Sequence, residues 1–191
     1  YTVKGLFEVM EGLTIRASVG TGFRAPGLGD LVANTSFSAD YHNDYVKCNA
    51  EGIARADCPE EQVQTYVSSN PNLGPEESEA TNIGIIWEKG MHSVAVDFFN
   101  TEIDGIITSV SVQDIIDATI LGPTFLAQLT GQGAYCTRTD TTATAPLSEC
   151  FRGPINGNQT TVAGTDIKYS GLFTSKVGDF DVNFNMVVMD E

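Results

Sequence analysis

Four cysteines, two histidines and an acid-rich stretch are the residues of this chain whose types and spacing could do chemistry. Cys48 and Cys58 lie 10 residues apart, and Cys136 and Cys150 lie 14 apart. Neither pair has metal-ligand spacing and no Cys-x-x-Cys occurs, so two local loop staples are expected, with four free thiols as the alternative. Staples require an oxidising compartment. Each would restrict the unfolded loop and contribute roughly 2–3 kcal/mol. His42 sits in Asp40-Tyr41-His42-Asn43-Asp44-Tyr45, between two tyrosines that could stack on or ligate a bound group. The acids Asp30, Asp40, Asp44, Asp57, Glu60, Glu61, Glu76, Glu77 and Glu79 could together hold Ca²⁺ through oxygen ligands. They lack EF-hand spacing, and a solvated acidic face is the plainer reading, so no metal site is assigned. His92 adjoins a turn, and Asp97 and Asp104 find no partner chemistry in the sequence. There is no Gly-x-Ser-x-Gly, His-Glu-x-x-His, phosphate loop or dinucleotide fingerprint. No enzyme is legible.

The elements that must position these residues are strands. The 191 residues contain 25 Asp plus Glu against 10 Lys plus Arg, a balance that excludes a nucleic-acid binder built on clustered cations. No apolar run approaches the roughly 18 residues of a membrane-spanning helix. The signal instead is period-2 alternation. Tyr1, Val3, Gly5, Phe7 and Val9 share one face of a first strand, and Leu13, Ile15, Ala17 and Val19 one face of a second. Ile83, Ile85 and Trp87 line a third, and Val94, Val96 and Phe98 a fourth. Ile167, Tyr169, Gly171 and Phe173 line a fifth. In the sixth, Phe180, Val182, Phe184, Met186 and Val188 oppose Asp181, Asn183 and Asn185. The other faces carry Lys4, Glu8, Arg16, Asp97, Asp166 and Lys168.

These six strands pair as hairpins through Glu11-Gly12, Lys89-Gly90 and Gly178-Asp179. Between the hairpins lie two long connections, 22–80 and 105–161. Pro59 to Val67 reads as a short helix with Pro and acids in its first turn. Ser111 with Asp114 reads as a capping box ahead of a helix from Ile115 to Leu121. Thr139 to Pro146 is a Thr/Ala-rich stretch. A rhythm of short turn and long loop is the wiring of a transmembrane β-barrel. Its apolar faces would meet lipid and its polar faces a wet lumen, with Trp87 either at an interfacial girdle or an ordinary cross-strand aromatic. The expected fold class is therefore all-β, antiparallel hairpins from a transmembrane barrel, with short periplasmic turns and long extracellular loops. A soluble β-sandwich for binding or adhesion is the alternative, with the same apolar faces buried.

Two motifs flank the first connection. Gly22-Phe23-Arg24-Ala25-Pro26-Gly27-Leu28-Gly29-Asp30-Leu31 follows a strand, and Asn70-Pro71-Asn72-Leu73-Gly74-Pro75-Glu76-Glu77-Ser78 precedes one. In this order, each beside an alternating strand, the pair resembles the barrel of TonB-dependent outer-membrane receptors. Gly27, Asp30 and Asn82 depart mildly from that pattern, where the family more often has Ser, Glu and Glu. The resemblance implies a barrel of ~22 strands, of which residues 1–191 would be a partial wall. It implies a Gram-negative outer membrane with its lipid and lipopolysaccharide, and energising by TonB through a plug domain and TonB box outside this segment. The cargo would be a scarce nutrient such as an iron chelate, cobalamin, a carbohydrate or a peptide. Phe23, Arg24, Ala25, Pro26, Asn70, Pro71, Leu73, Pro75 and Glu76 become structural motif residues, with Arg24 expected to pair with Glu76 or Glu77. Haem receptors of the family resemble this chain in placing a functional His between the two boxes. His42, with Tyr41 and Tyr45, is then a candidate haem contact, against a solvent-exposed loop histidine with no ligand. No resident cofactor is expected.

Overall fold

A computed structural model describes residues 1–190. The chain divides into two units. One comprises 1–24, 76–105 and the segment from 158 onward, and the other 25–75 and 106–157.

The first unit is a six-stranded antiparallel sheet. Its strands are β1 (Thr2–Met10), β2 (Leu13–Arg24), β5 (Glu76–Lys89), β6 (His92–Asp104), β11 (Thr160–Ser175) and β12 (Gly178–Met189), in that spatial order, and the sheet is not closed. Register turns the sequence alternation into rows. Phe7, Ile15, Ile85, Val96, Ile167 and Met186 face one another across all six strands on one side. One residue along, Leu6, Arg16, Gly84, Asp97, Asp166 and Val187 form a row on the other side. Opposite faces follow because successive side chains of a strand point to opposite sides. The apolar row is solvent-accessible, Phe7 being 68% exposed.

The hairpin turns fall at Glu11–Gly12, Gly90–Met91 and Lys176–Val177. The expected turn at Gly178-Asp179 is thus displaced. Both residues already pair in β12, with Ser175 and Thr174, and the flexible Gly178, at φ +142°, opens the strand. The second turn is one residue later than expected. Gly90, at φ +60°, supplies the left-handed conformation such a turn needs.

The second unit has its own sheet, in the order β3 (Ser36–Asn43), β4 (Glu60–Val67), β9 (Leu147–Arg152) and β8 (Tyr135–Arg138). β4 and β9 run parallel, so the two insertions share one sheet. A two-stranded piece joins β7 (Ile107–Ser109) to β10 (Pro154–Asn156), and α1 (Leu28–Val32), α2 (Tyr45–Ala50), α3 (Val112–Leu121) and α4 (Pro123–Gly131) complete the unit. The helix expected at Pro59–Val67 is instead β4. Its burial alternates, with Val63 and Thr65 buried and Gln62 and Gln64 exposed, and cross-strand pairing on both sides outweighs the weak N-terminal helix signal.

α3 follows the expected capping box but begins at Val112, three residues before the expected Ile115, because Ser111 is itself the N-cap. Asp114 N–H donates to Ser111 Oγ at 3.1 Å, and Ser111 N–H to Asp114 Oδ2 at 2.7 Å. Its buried face is Val112, Ile115, Ile116 and Ala118, a helical spacing. Val112 and Ile116 pack with Val63 and Cys150, while Ile115 and Ala118 pack with Leu129 of α4 and Ile155 of β10. Each buried Val, Ile or Leu among these contributes about 1.5–3 kcal/mol. Gly122 ends α3 and Pro123 starts α4 in the first-turn position proline tolerates.

Candidate functional site: a charged sheet face and a stapled loop unit

On the charged side of the large sheet, Arg16 and Asp97 stand two strands apart with Gly84 between them in register. The Arg16 guanidinium donates to both Asp97 oxygens, Nε at 2.7 Å to Oδ1 and the terminal nitrogen to Oδ2. This bidentate geometry is the strong form of a charge-assisted pair. It exists because Gly84 has no side chain. A Cβ there would lie 1.9 Å from Asp97 Oδ1. Asp166 and Lys168 pair nearby at 2.7 Å, and these side chains with Lys4, Ser18 and Asn82 border a concavity of about 540 Å³. Asp97, read from the sequence as having no partner, is thus held. The lone Gly84 on the polar face of its strand, with Arg16 and Asp97 on the polar faces of the strands to either side, was the available signal.

The two flanking motifs meet themselves. Arg24 ends β2 directly opposite Glu76, which opens β5, and their side chains form an ion pair. Within the second unit, Asn70 N–H donates to the Asp30 carbonyl at 2.7 Å, and Asn70 Nδ2–H to the Pro154 carbonyl at 3.1 Å. Asn70 Oδ1 accepts from Asn72 N–H, Leu73 is buried, and Asn156 brackets the Gly74 peptide through both its amide atoms. Phe23, Ala25, Pro71 and Pro75 are exposed and Pro26 half-buried. Pro26 and Pro75 lie just beyond the paired strand ends, where their rings end the ladder without removing a needed N–H. Arg24→Ala is expected to loosen only this junction, because the guanidinium is largely solvated. Nicking within 25–75 should rise by at most about fivefold in limited proteolysis, the equivalent of an exposed pair worth ~0–1 kcal/mol.

In the second unit both disulfides are formed. Cys48–Cys58 spans α2 and the segment before β4, and Cys136–Cys150 joins directly paired residues of β8 and β9. Beneath the sheet, Arg138 donates to both oxygens of Asp44, at 2.7 and 2.8 Å, and to the Ala145 carbonyl at 2.6 Å. Asp44 is 1% exposed and also caps α2 by accepting from Lys47 N–H. Burial works against its charge, but the Arg138 and Lys47 bonds outweigh burial and hold its pKa below the usual carboxylate value.

Residues 5–185 match the family described as TonB dependent receptor-like, beta-barrel. The chain belongs to the TonB-dependent receptor β-barrel family. Among solved structures it is similar to the ferric enterobactin receptor PfeA of Pseudomonas aeruginosa, solved with enterobactin. That match has 14% identity and TM-score 0.61 and covers 100% of this chain and 22% of PfeA. The siderophore receptor PirA of Acinetobacter baumannii matches at 12% identity and TM-score 0.58, covering 100% of this chain and 23% of PirA. The hemophore receptor HasR of Serratia marcescens, in complex with its hemophore HasA and heme, matches at 14% identity and TM-score 0.53, covering 98% and 22%. No sequence among the curated proteins matches. The receptor segment spans under a quarter of the length of these three receptors.

In this receptor segment the candidate haem contacts do not converge. Tyr41 lies on the outer face of β3, His42 on its inner face, and Tyr45 opens α2 beneath the Arg55 guanidinium, 3.9 Å from its ring centre. His42 is 3% exposed, so it offers no nitrogen at the surface, and neither ring nitrogen has a hydrogen-bond partner among the described residues. The first-loop acids are dispersed, and no cluster of three or more His, Cys, Asp or Glu positioned for a metal occurs among the described residues.

Burial lowers the His42 pKa from its ordinary 6.5, against the opposing pull of Asp44 and Glu61. A histidine held neutral in the fold stabilises it fully above the unfolded pKa, and that stability is lost as pH falls towards the lowered folded value. Thermal unfolding of the loop unit should therefore become acid-sensitive below about pH 6.5, before the carboxylates titrate. His42→Gln should flatten that segment of the profile. Superimposable profiles for the two proteins between pH 4.5 and 6.5 would exclude His42 as the sensor.

Proposed function

We propose that this chain is part of the wall of a Gram-negative outer-membrane receptor that takes up a scarce nutrient with energy from TonB. Its apolar rows face lipid, its charged rows face the lumen, and its stapled second unit lies outside and contributes to ligand capture. The supporting observation is the register of the large sheet. Phe7, Ile15, Ile85, Val96, Ile167 and Met186 form one unbroken apolar row, backed by the row that carries Arg16, Asp97 and Asp166. Such a sheet is stable where one side meets hydrocarbon and the other water. The disulfides suit an exterior compartment.

The cargo reading is an iron chelate, since similar folds include siderophore receptors and a hemophore receptor. The partners are membrane lipid and lipopolysaccharide along the apolar rows, and TonB through a plug domain outside residues 1–191. The chain performs no covalent chemistry of its own. The experiment is spin labelling of the full-length receptor in lipid vesicles at Ile83→Cys and Asn82→Cys, neighbours on opposite faces. The label at 83 should be quenched by dissolved oxygen and the label at 82 by a water-soluble nickel chelate. Nickel access at both positions would rule the lipid contact out.

A further inference from the structure

The loop unit's four-stranded sheet buries one face under α3 and leaves the other uncovered. Across that uncovered face, register aligns one aromatic from every strand: Phe37, Tyr66, Phe151 and Tyr135. Phe37 meets Tyr66 edge-on at 6.2 Å, Tyr66 stacks on Phe151 at 5.1 Å, and Tyr135 stacks on Phe151 at 4.9 Å. The row ends at both sheet edges, where Phe37 is 64% and Tyr135 37% exposed. The next row on the same face is Ala39, Gln64, Glu149 and Thr137, which adds a carboxylate and no cation.

Charge decides what can approach. The unit's basic side chains are all committed: Lys47 to Glu61, Arg55 to Asp117, Arg138 to Asp44 and Arg152 to Asp40. Asp57, Glu60 and Glu149 are in none of the unit's ion pairs among the described residues. An anionic partner would therefore meet repulsion and no uncommitted counter-charge, whereas a cation is drawn in. Ring faces attract cations through their quadrupole, and a guanidinium, being planar, can also continue a stack. The unit already makes such a contact internally, Arg55 over Tyr45. The face is open and without a cage, which suits an extended partner more than an enclosed small ligand.

We propose that the uncovered face of the β3–β4–β9–β8 sheet docks a basic polypeptide segment, seating arginine side chains against the terminal rings Phe37 and Tyr135 beside Glu149. The inference goes beyond the uptake reading and does not need it, because docking is measured on the purified receptor whatever its cargo.

The test is fluorescence anisotropy of a labelled octa-arginine peptide with the intact receptor in detergent, at physiological salt, against octa-lysine and octa-glutamate peptides. Saturable binding is expected in the order arginine, lysine, no glutamate binding. The double variant Phe37→Leu/Tyr135→Leu keeps the strands' apolar bulk and should lower affinity about tenfold, while Tyr135→Phe, which keeps the ring, should match the parent. Absence of saturable octa-arginine binding would overturn the proposal. So would an affinity indifferent to the loss of both rings, which would reduce the effect to bulk charge. Protection of Phe37 and Tyr135 from hydroxyl radicals in the free receptor would overturn it too, since the rest of the receptor would then cover the face.

Discussion

Arg138→Met should destabilise the loop unit by about 3–5 kcal/mol, because it strands a carboxylate that is almost fully buried. Asp44 would keep its bond from Lys47 N–H but lose both guanidinium bonds at a site almost closed to solvent. Met fills much of the arginine stem's volume, so the loss is electrostatic and not a cavity. In amide exchange, α2 and β8 should lose about two to three and a half decades of protection, while the hairpin β11–β12 keeps its own. The companion double variant Arg138→Met/Asp44→Asn should recover most of the loss, since an asparagine still caps α2 and carries no charge. Equal exchange rates in Arg138→Met and the parent would show that the pair carries no stability. Acid should act on the parent in the same sense. The lowered Asp44 pKa means that its stabilisation is complete above the unfolded carboxylate value and is lost as pH falls through the folded one.

Gly84→Val carries the second large effect, about 1–3 kcal/mol, in the other unit. The new side chain would occupy the space in which Asp97 Oδ1 reaches Arg16. Asp97 is buried while Arg16 is more than a third exposed, which is why the figure stays below that of the Arg138 pair. Valine's better strand propensity offsets part of the loss. Urea unfolding of the intact receptor, followed by heat-modifiable gel mobility, should show a lower midpoint for Gly84→Val than for Ile85→Val, a neighbouring substitution on the apolar face. A midpoint at or above the parent's would mean that Arg16 and Asp97 contribute nothing to the wall.

The large sheet was legible because its message is periodic and local. Alternation in Phe180 to Val188 or Leu13 to Val19 fixes which residues share a face, and tight turns fix which strands adjoin. The α3 cap was legible too, since a capping box is a local, four-residue signal. What escaped depended on residues distant in sequence. β4 reads as a helix start until Phe37 and Phe151 supply strands on both sides of Tyr66. Arg16 and Asp97 look unrelated until β5 places Gly84 between them. His42, a candidate haem contact by resemblance or else an exposed loop histidine, is turned inward by strand alternation beside Glu61 and Asp44. The aromatic row is invisible in the sequence, since its four rings come from segments as far apart as residues 37 and 151.

The parallel pairing of β4 with β9 has a consequence for engineering. Each insertion contributes two strands of the same sheet, and the β5–β6 hairpin separates them along the chain. Exchanging one insertion between receptors would leave the remaining half with a bare edge at Gln64–Val67 or at Glu149–Arg152. The two insertions are therefore expected to fold only as a matched set, and a chimera carrying one of them to complete neither parent's sheet.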